Sequence, residues 1–253
     1  MSLAHPNLTR PPIQEALINL SVDVSSAPDP ETCGELDLAE KLTEVTPLRV
    51  FEAELESRPG EAVSASAPMR PTVIGYRYAD REGIHVAQLR EDGVTFSVLR
   101  RYVSWGEMVE QATPVFEAYF EAADTVGQAR VAARFINRVD VPPGADIRDY
   151  FRASLAIPGG VEAALSRFEV RSEFRDNRTG LDASVYLVSA GPLPDGGGLS
   201  VYLDVSASDS DPIGISPGQL LPDDLRDKLE PLRALKNRLF FGSLTAPLIH
   251  SYR

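Results

Sequence analysis

The chain has one cysteine, three histidines and one tryptophan among 253 residues, and only three of its 25 basic residues are lysines. A lone Cys33 excludes a disulfide framework and a cysteine-based zinc site. Its neighbours Glu31 and Glu35 are acidic, which raises a thiol pKa, so Cys33 reads as an incidental cysteine. His5, His85 and His250 stand apart, with no His-x-x-x-His pair, so no metal site is expected. His85 falls in a strand-like run, where a structural role is the simpler reading. No run approaches the roughly 18 apolar residues of a membrane span. The first dozen residues lack a basic stretch followed by an apolar one, so no secretory leader is expected. Gly-x-Ser-x-Gly is missing, and Gly196-Gly-Gly198 precedes a strand without a following Lys-Ser/Thr. These absences predict a cytoplasmic protein with no catalytic residues, no cofactor, no metal and no membrane contact.

Net charge is −12, with 43% hydrophobic and 25% charged residues. That size and composition suit a globular protein with a full core. The negative charge disfavours nucleic acid and anionic lipid as partners. The arginine bias has a bland origin in codon composition. Arginine also suits bidentate capture of carboxylate or phosphate, so a local cluster retains meaning on an acidic protein.

Alternation predicts strands over 13–24, 48–57, 72–79, 83–90 and 93–101, with turns at Asp80 to Gly83 and at Glu91-Asp92-Gly93. A short helix is expected over 35–45 through Leu38 and Leu42, stopping before Pro47. Ser104-Trp-Gly-Glu107 fits a capping box, with Val103 and Met108 placed as a hydrophobic staple. From there Trp105, Met108, Val109, Ala112, Phe116, Tyr119 and Phe120 recur at helical spacing, the pattern of a helix covering a sheet. The order then repeats. Strands are expected over 130–141, 167–175, 181–188 and 199–207, with a helix over 146–156 after the first. A long helix opens at Pro222-Asp-Asp224 and carries Leu225, Leu229, Leu232, Leu235 and Leu239. Loops are expected over 25–30, 58–71, 191–198 and 209–217.

The expected fold class is therefore α+β. Residues 1–125 form a β-α-β4-α half and residues 126–253 a β-α-β3-α half, packed as one unit. This order resembles the TATA-binding-protein-like and helix-grip topologies, in which a curved antiparallel sheet is covered by long helices. Such a topology names no function.

Several segments carry a family resemblance: Arg10-Pro-Pro-Ile13 with Glu15-Ala16, Gly93-Val-Thr-Phe-Ser97, Arg134-Phe-Ile-Asn-Arg138, Asp149-Tyr-Phe151 and Phe240-Phe-Gly-Ser-Leu-Thr245. Together they span nearly the whole chain. In these residues the chain resembles a sporadically distributed family of uncharacterised bacterial proteins, of which the segment over 134–138 is the most specific. The resemblance implies a bacterial cytoplasmic protein and brings no established residue roles.

One constellation remains. On the second-half strands, the face opposite the apolar one collects Arg130, Arg134, Arg138, Arg167, Arg171 and Arg175. It also collects Glu169, Glu173, Asp182, Asp204, Tyr186 and Tyr202. The bland reading is a solvated face of cross-strand ion pairs. The functional reading is a recognition surface, since arginine and tyrosine are enriched at hot spots. Arg134, Arg138, Arg171, Tyr186, Tyr202 and Asp204 are its candidate binding residues. The expected activity is non-catalytic binding of a protein partner or a small anionic ligand. The alternatives are an enzyme acting on a small anion, with Asp204 in acid/base work, and nucleic-acid binding by a saddle-shaped sheet. Exposed sheet edges leave a homodimer open.

Overall fold

A computed structural model describes residues 5–22, 27–38, 42–52, 70–123, 127–153, 167–193, 197–215 and 222–253. Nine strands form one sheet: β1 (Ile13–Val22), β2 (Glu44–Glu52), β3 (Arg70–Ala79), β4 (His85–Arg90), β5 (Gly93–Leu99), β6 (Gly127–Val141), β7 (Glu169–Arg175), β8 (Asp182–Pro192) and β9 (Leu199–Ile215). Among the described residues four helices accompany them: α1 (Pro30–Glu35), α2 (Trp105–Ala122), α3 (Pro222–Ser243) and α4 (Ala246–Ser251). The strand order is β2-β3-β4-β5-β1-β6-β9-β8-β7, and every neighbouring pair is antiparallel. The fold is therefore α+β, and β1 and β6 lie side by side with β5 and β9 outside them. No described helix is long and apolar enough to cross a membrane.

The period of two decides which face is buried. Ala16, Ile18, Leu20 and Val22 of β1 are buried together with Val131, Ala133, Phe135 and Val139 of β6 and Val201, Leu203, Val205 and Ala207 of β9. The helices lie on this side. Trp105 of α2 stacks on Phe135 with centroids 6.2 Å apart. Lys236 of α3 lies over the same ring. The Tyr78 hydroxyl donates to the Cys33 carbonyl at 2.8 Å and ties α1 to β3.

Helix α2 starts where the sequence places it. The Ser104 hydroxyl accepts from the Glu107 amide at 3.1 Å, satisfying one of the free N–H groups of a helix start. The expected staple is not made, because Val103 is 74% exposed. Trp105, Met108, Ala112, Phe116, Tyr119 and Phe120 are buried as expected, and Val115 joins them. Gly93 sits where β5 meets β1 at φ 142°, and an added Cβ would lie 2.2 Å from the Leu20 carbonyl oxygen. Only glycine tolerates both the dihedral and the contact.

Three expectations need correction. The helix expected over 35–45 lies upstream as α1, and the described residues of 36–38 and 42–43 are irregular. Asp29 accepts from the Glu31 and Thr32 amides at 2.9 and 3.0 Å, and Pro30 occupies the first helical position. That cap is a stronger start than the leucine spacing that follows it. The helix expected over 146–156 is a single 3-10 turn over Ile147–Asp149, after which Phe151 bridges to Leu244; residues 154–156 lie outside the described residues. The loop expected over 209–217 is strand through Ile215, because β9 continues its pairing with Gly127 to Ala129 of β6. Of the loop expected over 58–71, residues 58–69 lie outside the described residues, and Arg70 and Pro71 already belong to β3, paired with Glu52 and Phe51.

Candidate functional site

Register brings all six candidate residues onto three adjacent rungs of β6, β9, β8 and β7. Ile136, Asp204, Tyr186 and Arg171 are direct partners on the central rung. Arg138, Tyr202, Val188 and Glu169 form the rung on one side, and Arg134, Ser206, Ser184 and Glu173 the rung on the other. Directly paired side chains stand about 5 Å apart. These residues alternate with the buried Phe135, Leu203 and Leu187, so they project from the face opposite α2 and α3.

The charges on this face are matched. The Arg134 guanidinium donates to Asp204 through Nε, which reaches Oδ1 and Oδ2 at 3.0 and 2.9 Å, and through Nη2, which reaches Oδ2 at 2.5 Å. This fork raises the Arg134 pKa above the ordinary arginine value. Asp204 is almost fully buried, while the Arg134 side chain stays 48% exposed. Arg138 forks onto Asp140 within its own strand, at 2.9 and 3.3 Å, and its pKa is raised mainly by that hydrogen bond. Arg171 pairs with Glu173, two residues along β7. The Tyr186 phenol is held above its ordinary value, first by desolvation and then by its contact with the Glu169 carboxylate. Arg175 reaches Asp182 at 3.3 Å and Ser210 at 3.2 Å. A groove of about 500 Å³, lined by Glu173, Ser184, Ser206 and Ser208 among others, runs beside the Arg134 rung. Arg167 precedes the first residue of β7 and is not part of the strand.

Two properties of the site follow. The face offers little net positive charge, since each of the three candidate arginines is neutralised by a carboxylate of the same chain. It also offers directed donors. The fork uses Nε and Nη2, and among the described residues Nη1 makes no hydrogen bond, so its donors remain available. Among the described residues, no group of three or more His, Cys, Asp or Glu is placed to hold a metal ion. Cys33 is buried, and burial first, then the nearby Asp29, pushes its thiol up to about 12.

Sequence reasoning missed two residues on the opposite face. Lys236 is 7% exposed and Asn137 is 1% exposed. Lys236 extends the series Leu225, Leu229 and Leu232 at core spacing on α3. Asn137 shares the apolar parity of Phe135 and Val139 on β6. In both cases a polar residue at a core position was the available signal.

Comparison of the chain with protein-family models, with curated proteins and with solved structures found no match.

Proposed function

We propose that the chain is a non-catalytic binding protein whose partner, a protein, docks on the open sheet face formed by β6, β9, β8 and β7. The observation that carries this reading is the convergence of Arg134, Arg138, Arg171, Tyr186, Tyr202 and Asp204 on three rungs of a face that no described helix covers. Ion pairing within the face holds the guanidinium planes in place before a partner arrives. Less rotamer entropy is then lost on binding. Arginine and tyrosine supply large, directed contacts of the kind that dominate interface energetics.

The internal ion pairs also argue against the alternatives. A small anion would have to compete with Asp204, Asp140 and Glu173 for guanidinium groups already engaged by them. A nucleic acid would meet a chain of net charge −12, where phosphate binding needs unpaired cations. Acid/base work by Asp204 would require release of its bidentate arginine.

The same reading extends to the architecture. Residues 1–125 and 126–253 form two related halves. In each, the first strand (β1 or β6) takes the centre of the sheet and the last (β5 or β9) pairs beside it. This supports a duplicated, TATA-binding-protein-like arrangement with a curved sheet. The family resemblance supports a bacterial cytoplasmic setting.

The test is a paired substitution. Arg171→Ala with Tyr186→Ala removes one exposed and one half-buried anchor and leaves the core side chains untouched. The variant keeps the wild-type unfolding midpoint and loses the partner. Retention of that partner at wild-type affinity would refute the assignment.

A further inference from the structure

Strands β2 and β7 stand at the two ends of the sheet. An end strand offers a row of backbone donors and acceptors to any chain able to pair with it. The two ends differ. β2 contains Pro47, which has no N–H to offer, and its register shifts between Leu48 and Arg49; both features blunt an edge. β7 contains neither proline nor glycine, and every residue in it except Val170 is exposed. Its pairing with β8 runs from Glu169 to Arg175 without a shift.

The register on β8 fixes which backbone groups of β7 remain free. The Asp176 amide donates to the Leu181 carbonyl at 2.8 Å, and the Ser189 amide donates to the Phe168 carbonyl at 3.0 Å. Positions 168 and 176 therefore bond inward to β8, and in an antiparallel ladder every second residue between them does the same. Val170, Ser172 and Phe174 direct their N–H and C=O groups at β8. Those of Glu169, Arg171, Glu173 and Arg175 point away from the sheet, where no described strand pairs with them. The outward positions thus alternate glutamate and arginine. On the helix-covered side, Val170, Ser172 and Phe174 line a groove of about 320 Å³ with Val185 and Leu187 among others, and Phe174 is 43% exposed.

We propose that the chain forms a homodimer in which β7 pairs antiparallel with β7 of a second copy, about a two-fold axis through Ser172. This register sets Glu169 opposite Arg175 and Arg171 opposite Glu173, each pair occurring twice. All four are outward positions, so their backbone groups meet in the hydrogen-bonded pairs of the new ladder. The nearest registers that keep those groups in contact set Arg171 against Arg171 or Glu173 against Glu173, and like charges directly opposite are destabilising. Val170 meets Phe174 in the non-hydrogen-bonded pairs, where side chains approach most closely, and an aromatic against a β-branched residue is a favourable cross-strand pair. The in-strand pair Arg171–Glu173 becomes half of a four-charge cluster of alternating sign. The charges select the register; the backbone bonds and the Val170–Phe174 pairs supply the attachment. The axis stands normal to the sheet, so two nine-stranded sheets join into one with both open faces on the same side. The dimer uses the edge of β7, so it stands or falls independently of partner binding at the open face.

The test is sedimentation velocity on the intact chain over a dilution series at low salt. The expected result is a concentration-dependent species of twice the chain's mass. Arg171→Glu alone sets glutamate opposite Glu173 in both central pairs, and Glu173→Arg alone sets arginine opposite Arg171. Each should keep the wild-type circular dichroism and raise the dissociation constant at least about tenfold. An equal mixture of the two variants sets two glutamates on one strand against two arginines on the other, and should dimerise as tightly as the wild type. Hydrogen exchange on the wild type needs no variant: the amides of Arg171 and Glu173 should slow as concentration rises. A chain that is monomeric at every concentration, a dimer that both variants retain, a mixture that stays monomeric, or a dimer without added protection at these amides overturns the proposal.

Discussion

Replacing Lys236 by methionine should make the protein more stable, and the gain should depend on pH. In the unfolded chain this lysine titrates near its ordinary 10.5; in the folded chain burial lowers it to about 7. The group is neutral in both states above pH 10.5 and contributes no penalty there. As pH falls from about 10 to about 7, the unfolded state binds a proton that the folded state does not, so stability falls. Below pH 7 the full penalty is in place, about 5 kcal/mol by the ratio of the two proton affinities. Methionine keeps a similar unbranched volume and removes the amine. It also forfeits the attraction between the ammonium and the Phe135 and Trp105 rings, worth up to about 2 kcal/mol when desolvated. Desolvation wins, and a net gain of about 3 kcal/mol remains at pH 6. Urea titrations of the two proteins at pH 6, 8 and 10 measure it. With a urea slope of about 3 kcal/mol per molar, the midpoints should differ by roughly 1 M at pH 6 and converge by pH 10. A difference that is the same at all three pH values, or a methionine variant less stable at pH 6, would refute the reasoning.

Other substitutions probe the frame that carries the sites. Ser104→Ala removes the cap on α2 and should cost about 1 kcal/mol in a urea titration. Gly93→Ala forces a Cβ to within 2.2 Å of the Leu20 carbonyl oxygen at φ 142°, and should break the β1–β5 pairing. The expected sign is a loss of at least about 2 kcal/mol, with early hydrogen exchange at β5 amides. Leu203→Ala on β9, fully buried beneath α3, should cost about 2–5 kcal/mol. Asp204→Asn leaves the half-exposed Arg134 without its carboxylate and should cost about 1 kcal/mol, a figure reduced by solvent screening of the guanidinium.

The strands were legible where a clean period of two coincided with large apolar side chains. β6 is the best case: Val131, Ala133, Phe135 and Val139 declared its buried face, and the arginines between them declared the other. That alternation is also why the six candidate residues could be placed on one surface before their strands were known to be neighbours. Their internal pairing was only partly legible. Arg138–Asp140 and Arg171–Glu173 are two residues apart and follow from alternation. Arg134–Asp204 spans 70 positions and depends on the β6–β9 register, which no local pattern encodes. The far end of β9 was read as a loop because Asp209, Asp211, Pro212 and Gly214 are turn-forming residues. Pairing with β6 outweighed those local preferences, and the buried Ile213 marks the continuation. At α1, two leucines at helical spacing drew attention away from Asp29-Pro30, where the chain begins its turn. Lys236 went unnoticed because a single lysine in an apolar stripe is ordinarily solvated at its tip; here Trp105 and Phe135 close over it.

The central claim is that the open face of β6–β9 is the binding surface, and one quantitative capture experiment tests it. Tagged wild-type protein, the Arg171→Ala/Tyr186→Ala variant and an opposite-side Arg233→Ala variant are purified in parallel from the host cell at low salt. Bound proteins and small molecules are both quantified. The account predicts a stoichiometric protein held by the wild type and by Arg233→Ala but lost from the open-face variant. A protein held equally by all three, or a small anion bound with no protein, would contradict it.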